Sequence, residues 1–312
     1  MPMHKEIENY LSHLLPLLMQ KGVEVLSQTE IAWGVQLRVS RGTDRANINI
    51  YHSAKRGLSK VLGAPRDSGL KQELDFLLNG EKTAETFAGF HNWHCWIGSD
   101  ECGKGDYFGP LVGSAFYVEA GQVADLRRLG VQDSKHLNDV RIVQIAKQIY
   151  LKYPNQASCI VLKPGRYNEL IAEFKKQGQN LNDLLTWVHE KVILELVAKQ
   201  NKAEGIVVDQ FSKAQKVKSR IYKRNPALNV VERTGGERDV AVAAASILAR
   251  YQFLEALAMQ ERKFKFSFPK GAGPKVIIAG QKFINEQGDK HLADVAKLHF
   301  KTSSSLKTTP SA

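Results

Sequence analysis

Apolar residues recur at helical spacing over His4–Gln20, at Ile7, Leu11, Leu14, Leu15 and Leu18, and Gly22 ends the stripe. The period then drops to two. Val23–Val25, Ile31–Val39 and Ala46–Tyr51 are expected strands, because Val35, Leu37 and Val39 alternate with polar partners, as do Ile48 and Ile50. Gly57–Val61 is a candidate short strand and Leu70–Leu78 a candidate second helix. A helix followed by a curved antiparallel sheet predicts a small α+β domain over residues 1–80. Residues 81–94, with Gly89 among them, are expected to be a linker.

From Cys95 the pattern alternates between strand and helix. Cys95–Asp100, Leu111–Val118, Ser158–Leu162, Gly205–Asp209 and Val230–Glu232 are short and rich in β-branched residues. Leu137–Tyr150, Tyr167–Lys176, Leu181–Ala198 and Val240–Met259 carry apolar residues at steps of three and four. Five strands with interleaved helices predict an α/β fold, a mixed five-stranded sheet with flanking helices, over residues 95–302. The ending from residue 303, SSSLKTTPSA, is polar and aperiodic, and is expected to be disordered.

Charge adds a partner to this picture. The 312 residues carry a net charge of +12 with a pI of about 9.5, a surplus that suits a polyanion such as nucleic acid. Residues 1–93 hold 11 Lys and Arg against 10 Asp and Glu, so most of the surplus lies beyond them. Even so, Arg38, Arg41, Arg45, Lys55, Arg56, Lys60 and Arg66 form a local basic cluster opposed only by Asp44. No uninterrupted apolar run approaches the ~18 residues of a membrane span, and the N-terminus lacks a signal-peptide apolar region. Three cysteines do not make a disulfide framework. The chain reads as cytoplasmic and monomeric, with no membrane partner.

The candidate chemistry centres on Trp96–Pro110, WIGSDECGKGDYFGP. Asp100 and Glu101 are adjacent, and neighbouring strand residues face opposite sides of a sheet. A carboxylate buried there needs a cation or an exposed strand end. Gly103, Lys104 and Gly105 follow, a turn whose backbone can approach an anion and whose lysine can neutralise one. Such a stretch is either a phosphoryl-transfer site or an exposed turn with incidental charges.

Asp209 ends a buried-strand run, where ligands gather in α/β sheets, although a turn carboxylate is the simpler role. The basic run Lys213, Lys216, Lys218, Arg220, Lys223 and Arg224 follows without an acid, suiting either a phosphate backbone or a solvated helix face. Asp239 opens the helix from Val240, as a ligand or as an acid favoured by the helix N-terminus. Four such acids would suit two hard divalent cations. His91, His94, Cys95 and Cys102 lie close in sequence but lack zinc-site spacing.

SDECGKGDYFGP, the Asp133–Leu137 segment DSKHL, VVDQF and ERDVAVAAASILAR resemble the successive motifs of the type 2 ribonucleases H. GDYFGP, with the late FPKGAG and VAKLHF, is closer to the ribonuclease HIII pattern than to ribonuclease HII. The resemblance spans about residues 95–302 and implies a ribonuclease H-like fold, preceded by a TATA-binding-protein-like domain. It further implies Asp100, Glu101, Asp209 and Asp239 as metal ligands, and Gly103, Lys104, Gly105 and Lys135 as substrate contacts. Arg38, Arg41, Arg45 and Lys55 are the candidate contacts in the N-terminal domain.

The implied reaction is hydrolysis of the RNA strand of an RNA/DNA hybrid by two Mg²⁺ ions, with Mn²⁺ a possible substitute. One ion activates a water and the other stabilises the leaving 3′ oxygen, giving 5′-phosphate and 3′-hydroxyl ends. An enzyme that also incises at single embedded ribonucleotides, and a non-catalytic hybrid-binding protein, are the alternatives.

Overall fold

The computed structural model describes residues 4–53, 57–63, 69–78 and 91–306, and the chain divides into two compact units, Met1–Gly89 and Phe90–Ala312. The first unit runs α1 (Lys5–Gln20), β1 (Glu24–Ile31), β2 (Gly34–Arg41), β3 (Asp44–Ser53), β4 (Gly57–Gly63) and α2 (Gly69–Leu78). The strands form an antiparallel meander in sequence order. The α1 stripe of Ile7, Leu11, Leu14 and Leu18 is buried with Val35, Leu37, Val39, Ile48 and Ile50, so the two periods meet in one core. Ile31 belongs to β1 rather than opening the second strand. Trp33, at φ 65°, makes the turn that divides the expected run in two.

Strand alternation sorts the basic cluster. Arg38 and Arg45 are exposed on the face opposite the apolar set, with Gln36, Asn47 and Asn49. Arg41 has the register of Val39 and Leu37. Lys60 donates to the Leu78 carbonyl at 2.6 Å and lies 4.7 Å from the Tyr10 ring, so it is occupied on the helical side. Lys55, Arg56 and Arg66 lie outside the described residues, as do residues 81–90 of the expected linker.

The second unit begins with β5 (Cys95–Cys102) and β6 (Leu111–Glu119), followed by α3 (Val123–Leu129), α4 (Asp139–Lys152), β7 (Ala157–Leu162), α5 (Pro164–Lys176) and α6 (Leu181–Lys199). It continues with β8 (Gly205–Asp209), α7 (Lys216–Arg224), β9 (Asn229–Arg233), α8 (Val240–Phe264), α9 (Pro274–Gln287), α10 (Leu292–Val295) and α11 (Lys301–Ser304). The sheet order is β7-β6-β5-β8-β9, antiparallel across β7-β6-β5 and parallel across β5-β8-β9. The expected mixed five-stranded sheet is therefore present.

Helices cover both faces of that sheet. On one, α8 and α4 pack with Trp96, Phe116, Val118 and Val207. On the other, Val192, Ile193 and Leu196 of α6 pack with Ile97, Ala115 and Ile206. Helix α8 approaches β5 so closely that a Cβ on Gly98 would lie 2.1 Å from the Val242 nitrogen. By length and composition α8 could cross a membrane, and 67% of its apolar window is buried inside the unit.

Residues 303–306 of the expected tail are placed in the fold. Lys301–Ser304 is helical and Leu306 is buried against Gly280, because one leucine in the polar ending finds an apolar groove. Residues 307–312 lie outside the described residues.

Candidate active site

β5 and β8 are parallel neighbours, with Ser99 opposite Val208, so Asp100, next along β5, comes beside Asp209, the last residue of β8; β5 itself runs two residues past the expected end at Asp100, to Cys102. Alternation then separates the two adjacent acids of β5. Asp100 faces α8, where Ser246 hydrogen-bonds its side chain, and its Oδ1 accepts the Glu101 N–H at 2.8 Å. Glu101 faces α6, where its Oε2 lies 3.1 Å from Nε2 of the buried His189. Its Oε1 lies 3.7 Å from the Lys104 ammonium.

The acids strain against one another electrostatically. Burial pushes the Asp100 carboxyl well above its ordinary range, and the charges of Glu101 and Asp209 push it further. Asp209 is likewise raised, by burial and then by Glu237 and Glu101, although its Oδ1 accepts the Gly236 N–H at 2.9 Å. Burial would raise Glu101 too, but His189 and Lys104 outweigh it and hold that carboxyl below its usual value.

Glu237, which is not among the acids singled out from the sequence, joins them here. It sits in the turn before α8, hydrogen-bonds the Asp209 carboxyl and lies 3.5 Å from the Lys135 ammonium. Burial opposes its ionisation, yet its own backbone N–H, Lys135 and the Asp209 bond keep its carboxyl below the ordinary value. Lys135 is raised against the effect of its own burial, by Glu237, Asp133 and Asp209 in turn.

Asp239 is not brought into this cluster. Its Oδ1 caps α8 by accepting the N–H groups of Ala241 (2.9 Å) and Val242 (3.2 Å). The Trp96 indole donates to both of its oxygens, at 3.0 and 3.1 Å, and His91 Nε2 is 3.2 Å from Oδ2. At 2% exposure, that carboxylate has no oxygen turned outward. The sequence held the signal in a two-residue spacing: Glu237 and Asp239 flank Arg238, and only the helix start decides which is spent as a cap.

The GKG turn sits beside the cluster. Gly103 adopts φ 88°, where a Cβ would lie 2.2 Å from the Pro110 carbonyl oxygen, so glycine is required there. Lys104 remains partly exposed and lies 5.5 Å from the Phe211 ring centroid. The late motifs clasp the turn from behind. The Gly271 carbonyl accepts the Tyr107 N–H and its own N–H donates to the Asp106 carboxylate, and the buried Lys297 donates to the carbonyls of Gly109 (2.6 Å) and Pro110 (3.2 Å). Burial pulls the Lys297 amine down to about 7.

Arg250 holds the DSKHL segment through the Ser134 and Leu137 carbonyls and Asp139, which places Lys135. Half of the basic run is occupied elsewhere: Lys216 pairs with Asp183, and Arg220 and Arg224 with Glu190.

Among the described residues, no three acids, histidines or cysteines close into a finished coordination set. The donors that do converge are carboxylate oxygens, the ligands of hard divalent cations, and their mutual repulsion is what such a cation relieves. The residues present therefore fit a divalent metal. Of the four zinc candidates weighed from the sequence, His91 is taken up by Asp239 and a stack on Trp93, and burial pushes the Cys102 thiol up to about 12.

The ribonuclease HII family model matches residues 97–303. The ribonuclease HIII of Protochlamydia amoebophila is 38% identical over 206 residues, 66% of this chain and 66% of that protein. The ribonuclease HIII of Chlamydia caviae is 36% identical over 222 residues, covering 69% and 71%. The chain thus matches about two thirds of the length of these relatives. A crystal structure of Bst-RNase HIII in complex with Mn²⁺ superposes with a TM-score of 0.62 at 30% identity, covering 94% of each chain. With the family model spanning the whole acid cluster and relatives named ribonuclease HIII, the chain belongs to the type 2 ribonuclease H family, on its ribonuclease HIII branch.

Proposed function

We propose that the protein is an endoribonuclease that hydrolyses the RNA strand of RNA/DNA hybrids, giving 5′-phosphate and 3′-hydroxyl ends. The observation that carries this reading is the convergence of Asp100 and Glu101 of β5, Asp209 at the end of β8 and Glu237 of the turn before α8, beside a glycine-lysine-glycine turn. These four acids hold two Mg²⁺ ions, with Mn²⁺ a substitute, as the Mn²⁺-bound relative suggests. Metal bound there supplies an activated water and charge neutralisation at the leaving 3′ oxygen.

The chain's own groups do the rest. Lys104 neutralises a phosphate near the scissile bond, and Gly103 and Gly105 let the backbone approach it. Contacts to the 2′-hydroxyl tell RNA from DNA. Lys135 balances the charge of Glu237 and Asp209 and is placed to meet substrate as well. Arg38 and Arg45, on one sheet face, grip backbone phosphates without reading bases, with Arg41 and Lys55 as further contacts.

The protein is read as a monomer without a membrane partner. Its three free cysteines suit a reducing compartment, and a cytoplasmic location is part of this reading. The test is incubation of the purified protein with a hybrid duplex and with a duplex bearing one ribonucleotide, each with and without Mg²⁺. Mg²⁺-dependent cleavage of the hybrid is expected. Cleavage of neither substrate would reject the reading, and equal cleavage of both would move it to the ribonuclease HII-type alternative.

A further inference from the structure

We propose that His189 is a positioning residue that fixes the Glu101 carboxylate for metal binding. His189 is wholly buried on α6, in a face otherwise built from Leu185, Val188, Val192 and Ile193. A histidine there must satisfy both ring nitrogens, and both partners lie two residues apart on the same face of β5. Nδ1 is 2.8 Å from Ser99 Oγ, which itself donates to the Ser114 carbonyl at 2.8 Å. Nε2 is 3.1 Å from Glu101 Oε2. The ring also lies flat on Phe211, with centroids 5.2 Å apart and planes 14° from parallel. Position, tilt and rotation of the imidazole are therefore all fixed by neighbours.

That rigidity passes to Glu101. A glutamate has three rotatable bonds, and this one stands beside Asp100, whose charge repels it. With Oε2 anchored on His189, Oε1 is left facing the GKG turn, where Lys104 approaches it. The alternative is that Glu101 merely satisfies a buried histidine. The two roles differ in which ring nitrogen matters. If His189 serves Glu101, the bond at Nε2 is the functional one and the bond at Nδ1 only orients the ring.

Three substitutions separate these roles. His189→Gln extends an amide to about the Nε2 position, His189→Asn to about the Nδ1 position, and His189→Leu keeps the volume and neither bond. The readouts are Mn²⁺ affinity, measured by electron paramagnetic resonance of the free ion, and kcat and KM on hybrid. Outer-shell partners of metal ligands are worth roughly 10–100-fold in affinity or activity. His189→Asn and His189→Leu should lose about that much Mn²⁺ affinity and kcat, with KM for hybrid little changed, while His189→Gln recovers most of both. In a Glu101→Gln background, His189→Asn should cost nothing further.

Equal impairment of the Asn and Gln variants, or an Asn variant within about twofold of wild type, would overturn the proposal. Should His189→Leu fail to fold, the Asn and Gln pair carries the comparison alone. The proposal rests on Glu101 being a metal ligand. Failure of that reading is seen separately, as Glu101→Gln leaving Mn²⁺ affinity unchanged.

Discussion

The turn before α8 offers two acids two residues apart, Glu237 bonded to the Asp209 carboxyl and Asp239 spent on the helix cap, and the proposed function gives them opposite roles. Asp239→Asn keeps an oxygen for the N–H groups of Ala241, Val242 and Trp96, and asparagine is as good an N-cap as aspartate. It should leave hybrid cleavage within about tenfold of wild type, a barrier change of ~1.4 kcal/mol. Asp239→Ala removes the cap, at about 1 kcal/mol, and strands the buried Trp96 N–H, at about 1–3 kcal/mol.

The sum for the alanine variant is about 2–4 kcal/mol. At roughly 2–4 °C per kcal/mol for a unit of this size, its Tm should fall by about 4–16 °C. Glu237→Gln should show the reverse: a Tm near wild type and a kcat lowered by two orders of magnitude or more, about 3 kcal/mol of barrier. Thermal unfolding and initial rates on one hybrid duplex, measured on all three variants, decide the matter. A folded Asp239→Asn variant without activity, beside an active Glu237→Gln, would refute the assignment and restore Asp239 as the fourth ligand.

Three other expectations follow from the same geometry. Asp100→Asn should abolish cleavage while retaining hybrid binding, and should raise the Tm of the metal-free protein. The sign comes from its raised carboxyl: the destabilisation is absent below the unfolded value near 3.8, grows as pH rises from there to the folded value, and is fully present above it. The Tm gain should therefore be larger at neutral pH than near pH 4, and a gain independent of pH would contradict this. Lys104→Ala should weaken hybrid binding and lower the slope of log K against log salt by about one unit or less, whereas an unchanged slope would mean the lysine touches no phosphate. A truncated chain starting at Phe90 should fold on its own cores, with KM raised and kcat little changed. An unchanged KM would reject the first unit as a substrate clamp.

Much of the fold was legible because the periods are clean. The α1 stripe and the alternation through Val35–Val39 and Ile48–Ile50 specify a helix on a half-buried sheet, and Gly205–Asp209 reads as a doubly covered strand from its apolar run. Helix α7 was visible only as a charge run, since two apolar residues, Val217 and Ile221, anchor it. Three of its cations, Lys216, Arg220 and Arg224, also proved to be paired with acids of α6, more than 25 residues away in sequence, which no local pattern reveals.

At the site, Asp209 was readable from the end of its strand, and Asp100 and Glu101 from two adjacent acids in an otherwise largely apolar strand. The choice between Glu237 and Asp239 was not, because it depends on where α8 starts and on a tryptophan 143 residues away. His189 was hidden for the same reason. In sequence it is one polar residue in an apolar helix, and only the packing of α6 on β5 shows what its nitrogens face.

The most direct test of the account is the chemistry of the cut itself. Hybrid duplex labelled at either RNA end, incubated with wild-type protein and with Asp209→Asn under Mg²⁺ or chelator, reports strand, metal dependence and product ends together. The account predicts that only wild type with Mg²⁺ cuts, that only RNA is cut, and that every product bears a 5′-phosphate and a 3′-hydroxyl. Cleavage that persists in chelator, survives Asp209→Asn or leaves a 2′,3′-cyclic phosphate would contradict it.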